Sequence, residues 1–230
     1  MQLIKSFIDI CENRNIKEAP EFQKSLVSLI NSPADREKIE TICAFDVSYD
    51  KQSRTNYTSV IVMGYHDHQV IESKSVIREA TFPYIPGLLA FREGPSIIEA
   101  YLKLRIKPDI LLFDGQGYAH PRRMGIATMI GILLDKPSIG CAKTCLIGEW
   151  ENPKNIRGAA TPLIHKEEQI GNVLRTRIGV IPVFVSIGNR IDLQNATEIV
   201  LNCCTTFRLP EPIREAHRLA NEIRNKRTGR

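Results

Sequence analysis

No stretch of this 230-residue sequence stays apolar for the roughly 18 residues that a membrane-spanning helix needs. The opening Met-Gln-Leu-Ile-Lys-Ser-Phe-Ile-Asp-Ile carries an acid inside its apolar run and no small-residue cleavage site, so no signal peptide is read there. Cysteine is sparse: Cys11, Cys43, Cys141, Cys145, Cys203 and Cys204 are too scattered for a disulfide framework. Cys141 and Cys145 lie four apart, with no second Cys or His pair at zinc spacing. Internal repeats, low-complexity tracts and heptad seams are missing too, which argues against a solenoid or a coiled coil. The expectation is a cytoplasmic, monomeric chain with reduced thiols and no membrane partner.

What is present is ordinary globular composition: 43% hydrophobic and 25% charged residues, enough to build a core without staples. The formal net charge of +5 favours a polyanionic partner. Residues 1–40 read as helical, with a turn at Ser32-Pro33-Ala34-Asp35. Three short β-branched or apolar runs follow, Ile42–Tyr49, Tyr57–Tyr65 and Val70–Ile77, separated by brief polar links such as His66-Asp67-His68, as in an antiparallel meander. Helical spacing resumes at Leu88 and is expected to break at Gly94-Pro95, with a restarted helix beyond. Ile110–Phe113 reads as a strand buried on both faces, Arg122–Leu134 as a helix and Ser138–Cys141 as a strand, which makes a parallel βαβ unit. Arg175–Ile178 and Pro182–Ser186 read as strands, Asp192–Cys203 and Pro212–Arg227 as helices. The expected fold is one mixed α/β domain with helices on both faces of the sheet.

The acids carry the functional signal. Asp46 lies inside an apolar strand and Asp114 ends another, where an unpaired carboxylate is costly to bury. Two strand carboxylates meeting at one sheet end would suit Mg²⁺ or Mn²⁺, although each alone also fits a turn or cap residue. Glu93 precedes the Gly-Pro step and would either point into the same cleft or sit solvated on a helix.

The densest segment is Asp114-Gly115-Gln116-Gly117-Tyr118-Ala119-His120-Pro121-Arg122-Arg123. Glycines after a strand, then a histidine and two arginines before a helix, resemble a phosphate-binding turn, without the Gly-Lys-Ser/Thr of a P-loop. His120 would position water or a leaving oxygen, or be an ordinary loop histidine; Lys143, at the next strand end, would contact phosphate or solvent. Pro83-Tyr84-Ile85-Pro86-Gly87 is a stiff apolar tip, read either as a wedge that unstacks bases or as a core-packing turn.

These pieces resemble endonuclease V, an inosine-directed repair nuclease family. The matching stretches are Asp46-Val47-Ser48-Tyr49, Pro83 through Glu93, Asp114 through Arg122, Ile139 through Lys143, Arg175-Thr176-Arg177 and Pro182 through Ser186, in order along the chain. The resemblance implies a ribonuclease-H-like core at 41–207, flanked by the helical segment 1–40 and a basic C-terminal helix at 208–230. It implies Mg²⁺-dependent hydrolysis, with Mn²⁺ as a substitute, at the second phosphodiester bond 3′ to deoxyinosine, leaving 3′-hydroxyl and 5′-phosphate ends. By position, Asp46, Asp114 and Glu93 would hold metal, with His217 nearby; His120 and Lys143 would complete the catalytic set. Pro83, Tyr84, Ile85 and Pro86 match the strand-separating wedge, and Gly87, Leu89, Gly115, Gly140 and Ile126 the pocket for the flipped base. Arg122 and Arg123 would contact phosphate, with Arg175, Arg177 and Arg224-Asn225-Lys226-Arg227 as further basic groups. The chain departs from many members at Asn189, where they carry histidine. An inosine-specific ribonuclease, a non-cleaving lesion-binding module and a flap or mismatch nuclease are the competing expectations.

Overall fold

A computed structural model describes residues 2–31 and 38–229; the turn expected at 32–35 lies outside the described residues. The elements in chain order are α1 (Gln2–Glu12), α2 (Ala19–Leu26), β1 (Thr41–Asp50), β2 (Thr55–Gly64), β3 (Val70–Glu79), α3 (Leu89–Leu102), β4 (Ile110–Phe113), α4 (Ile126–Leu134), β5 (Ser138–Ala142), β6 (Glu149–Trp150), β7 (Ala160–His165), β8 (Glu168–Leu174), β9 (Val183–Asn189), α5 (Leu193–Asn202) and α6 (Glu211–Thr228). The strands form one nine-stranded sheet in the order β3-β2-β1-β4-β5-β9-β8-β7-β6. The meander β1-β2-β3 is antiparallel, β1-β4 and β4-β5 are parallel, and β9 returns antiparallel to β5. This is the mixed sheet that the order of runs predicts, in the ribonuclease-H-like arrangement that the resemblance implies.

The two-residue alternation of the central strands sorts their side chains onto two faces. Cys43, Phe45, Leu111 and Phe113 face α1, α3 and α4; Ile42, Ala44, Ile110 and Leu112 face α5 and α6. Phe45 and Phe113 stack at 5.1 Å, which locks the parallel register Phe45 opposite Phe113. The residues that follow in each strand are Asp46 and Asp114, so that register alone sets the two acids side by side.

Three expectations about elements are corrected. The helix does not break at Gly94-Pro95: α3 runs through Pro95. A proline there removes one helical hydrogen bond, at a cost of about 3 kcal/mol. Packing offsets it, because Phe91, Ile97, Ile98 and Tyr101 are buried on either side and Gly94 lies close against the Phe7 ring. The helix expected from Arg122 begins only at Ile126, since Arg123 takes φ 57° and Gly125 is extended. Gly125 is required there: a Cβ would lie 2.2 Å from the Gln116 carbonyl. Finally, Arg175–Ile178 is not a strand. β8 ends at Leu174, and the buried Arg175 donates to Asn152 Oδ1 (2.6 Å), the Pro153 carbonyl (3.0 Å) and the Val180 carbonyl. The hairpin of β7 and β8 with short β6 was not read from sequence; it is an outer ribbon with exposed positions and a proline, and shows no apolar run.

All six cysteines are free, and all but Cys145 are buried. Among the described residues no helix is long and apolar enough to cross a membrane.

Candidate active site

The fold delivers three acids to one place. Asp46 comes from β1, Asp114 from the end of β4, and Glu93 from α3 across the strand ends; together they line a cavity of about 190 Å³ floored by Phe45, Phe113, Ile97 and Ile126. Burial raises the pKa of Asp46, with Asp114 adding to the shift and His217 opposing it. Burial, reinforced by Asp46 and Asp114, pushes Glu93 up to about 8. Like charges facing one small cavity call for a compensating cation.

Neighbouring protein groups meet two of the acids. His217 Nδ1 lies 3.2 Å from Asp46 Oδ2, and Lys143 pairs with Asp114. His217 is oriented in turn by Asn221, whose Nδ2 sits 2.9 Å from His217 Nε2 and whose Oδ1 accepts from Ser48 Oγ at 2.9 Å. Among the described residues no three His, Cys, Asp or Glu groups are drawn together tightly enough to grip an ion as they stand. The donor chemistry nevertheless fits a hard cation: three carboxylate side chains, a nearby imidazole, and open space between them.

A second cavity, of about 350 Å³, adjoins the acids. Both cavities are lined by Leu89, Asp114 and Ile126, so Asp114 stands on the wall between them. Of the residues expected in the base pocket, Gly87, Leu89, Gly115 and Ile126 line this space and Gly140 does not. Gly140 lies behind it: a Cβ there would meet Gly117 N at 2.4 Å and Gly115 O at 2.7 Å, so its bareness lets the Asp114 loop lie against β5. Leu146, Gln116 and the half-exposed Cys145 also face the pocket, a place the sequence had assigned to none of them.

At the pocket's edge, Tyr84 is 63% exposed between the exposed Pro83 and Pro86, while Ile85 packs onto the core. The Arg92 guanidinium lies 3.6 Å from the ring centroid of Tyr49 and 5.7 Å from that of Tyr84. The tip is thus apolar and outward at one residue and anchored at the next.

Several expected phosphate or water contacts are engaged within the protein. Arg122 donates to Gln23 Oε1 (2.5 Å) and the Gly87 carbonyl (2.8 Å). Arg123 pairs with Glu168 at 2.6 Å, fastening the loop to β8. His120 is buried and has both ring nitrogens in protein contacts; burial first, then Arg122, holds its pKa down to about 4. The start of α4 gives an amide to the chain itself, since Ala127 N donates to the Gln116 carbonyl at 3.1 Å. Arg177 is exposed, and the basic C-terminal stretch is ordered helix as far as Thr228. Asn189 is buried; it accepts from Asn31 N at 3.2 Å and donates to the Gly131 carbonyl at 3.3 Å, a structural bridge between segments. Two further residues were not foreseen. Gln23 binds the segment around Gly87, and Arg208 holds the carbonyls of Lys143 (2.6 Å) and Pro182 (2.8 Å), which fixes the backbone under Lys143.

A sequence profile described as Endonuclease V matches residues 23–218, a span that holds both cavities. The chain belongs to the endonuclease V family. The endonuclease V of Nostoc sp. is 44% identical over 207 residues, covering 90% of this chain and 94% of that protein. The structure is similar to endonuclease V of Streptomyces avermitilis, with a TM-score of 0.88 at 35% identity over 92% of this chain and 94% of the other. It is also similar to the endonuclease V of Ciona intestinalis in complex with a 24mer DNA containing an inosine followed by a ribo-adenosine, with a TM-score of 0.81 at 27% identity, covering 92% of this chain and 98% of the other. As an endonuclease V family member the chain is a nuclease.

Proposed function

We propose that the protein is a metal-dependent DNA repair endonuclease that recognises deoxyinosine and hydrolyses the second phosphodiester bond on its 3′ side, leaving 3′-hydroxyl and 5′-phosphate ends. The observation that carries this reading is the shared wall: one cavity sized for a small ring system opens against the acidic cavity through Asp114. A base seated in the first would place its neighbouring backbone over the second. The complex of the Ciona protein with inosine-containing DNA supports the choice of base.

Asp46, Glu93 and Asp114 would hold the cation, with His217 at its rim. When bound, Mg²⁺ or Mn²⁺ supplies Lewis-acid stabilisation of the phosphate and its leaving oxygen and lowers the pKa of a bound water. Lys143, paired with Asp114 and half-exposed, is placed to meet a phosphate oxygen. Gly87 and Gly115 line the pocket, where bare backbone can lie against a base edge, which would favour hypoxanthine over bases that carry an exocyclic amine there. Tyr84, exposed at the mouth, would fill the gap left by the flipped base. Cytoplasmic action as a monomer on such DNA, in three contiguous parts at 1–40, 41–207 and 208–230, completes the reading.

The deciding experiment uses end-labelled oligonucleotides with a single deoxyinosine or a single inosine, with Mg²⁺ and with EDTA. A Mg²⁺-dependent nick one nucleotide beyond the deoxyinosine supports the reading. The ribo-adenosine beside the inosine in the Ciona complex favours one alternative, an RNA-directed enzyme, and cleavage of the RNA strand alone would move the function there. Tight binding with no cut in either would leave a recognition module. A companion prediction concerns the tip. Tyr84→Ala should lower cleavage of duplex about tenfold more than cleavage of the single strand, because only the duplex has stacking to replace; equal losses in parallel single-turnover assays would remove the wedge role.

A further inference from the structure

The carbonyl of Gly87, the residue that ends the Pro-Tyr-Ile-Pro tip, faces three donors. Gln23 Nε2 lies 3.1 Å away, Arg122 Nη2 2.8 Å and His120 Nε2 3.1 Å. A carbonyl only accepts, so His120 carries its proton on Nε2, and Nδ1 accepts the Arg122 backbone N–H at 3.2 Å. Gln23 also donates to the Met124 carbonyl at 2.8 Å and accepts from Arg122 Nε at 2.5 Å. Every polar atom of the Gln23 side chain is therefore engaged. Gln23 and His120 are 1% and 4% exposed, so water does not compete for these bonds. Gly87 sits at φ +80°, and a Cβ would lie 2.8 Å from Arg122 Nη2, so the clamp closes only on a glycine. The clamp joins α2, the tip and the loop that enters α4, three segments far apart in the chain.

We propose that Gln23, with His120 and Arg122, is a positioning clamp that fixes the angle of the tip against the base pocket, and that its purpose is strand separation rather than bond cleavage. The proposal rests on the reading of Pro83–Pro86 as a wedge. None of the three groups is paired with Asp46, Glu93 or Asp114. Their convergence on a backbone carbonyl next to the tip transmits rigidity to Tyr84, and a rigid wedge keeps more of its binding energy for unstacking than a mobile one.

The test compares native protein with Gln23→Ala and with Arg122→Lys, which keeps the cation but cannot bridge Gln23 and Gly87 together. Thermal melts identify folded variants, and either variant suffices. Single-turnover cleavage is measured on matched duplex and single-stranded deoxyinosine oligonucleotides. Fluorescence of a 2-aminopurine beside the lesion is measured in EDTA, where it reports unstacking without cutting. The expected result is a drop of about 10- to 100-fold on duplex, a far smaller drop on the single strand, and a diminished fluorescence rise. Equal drops on both substrates, or an unchanged fluorescence rise, would overturn the clamp. Failure of native protein to cut either oligonucleotide would instead overturn the nuclease reading on which the clamp rests.

Discussion

Replacing either strand acid by its amide, Asp46→Asn or Asp114→Asn, should reduce Mg²⁺-dependent nicking by about a thousandfold or more while leaving the fold intact. The size follows from the several kcal/mol that metal ions contribute to charge stabilisation at a transferring phosphate, at about 1.4 kcal/mol per decade of rate. The intact fold follows from shape: asparagine matches aspartate in volume, and the register Phe45 opposite Phe113 that sets these positions depends on neighbouring aromatic side chains. Removing one of two adjacent, partly buried carboxylates also relieves repulsion, so the melting temperature should hold or rise. Single-turnover nicking assays and thermal melts of the same preparations check both halves. Full Mg²⁺-dependent activity in either variant would remove the acid pair from the mechanism.

Glu93→Gln should separate activity from stability in opposite directions. The folded protein holds Glu93 at a pKa of about 8, above its ordinary value of 4.5, through burial and then through Asp46 and Asp114. A raised folded-state value means that the proton stabilises the native form. That contribution is complete below about pH 4.5 and is lost as pH climbs through about 8. Glutamine mimics the protonated acid and does not ionise. The variant should therefore melt a few degrees above native near pH 9 in metal-free buffer, roughly 2–4 °C for each kcal/mol in a chain of this size, and the gap should close towards pH 5. Nicking should fall steeply, because the glutamine offers a cation no charge. Melting curves across that range decide the question, and a gap that is independent of pH would mean that Glu93 is ionised in both states.

The acids were legible because they break a pattern. A carboxylate inside Ile42–Tyr49 and one closing Ile110–Phe113 have no business in apolar strands unless something charged is there to meet them. Their adjacency was legible only as far as the βαβ order implied parallel neighbours; the register came from Phe45 and Phe113 stacking. Gln23 was invisible for the opposite reason. A glutamine in an amphipathic eight-residue helix looks like any solvated position, and only the fold brings Gly87 and Met124 to it. Arg122 and Arg123 were read by charge as phosphate ligands, but both meet protein acceptors across 35 to 99 residues of sequence, a separation that no local pattern encodes. Pro95 and the β7–β8 ribbon show the same limit: tertiary packing overrode local propensity in one, and polar outer strands carry little periodicity in the other.

The distribution of thiols has a practical side. Five cysteines are sealed in the interior, and burial raises the pKa of the thiols further. Cys145 alone reaches the surface, and it does so on the wall of the larger cavity. The native chain thus comes with a single chemical handle on the wall of its larger cavity. A small thiol-directed fluorophore, coupled slowly at mildly alkaline pH, would sit there without any engineered cysteine and turn occupancy of the pocket into a change of emission.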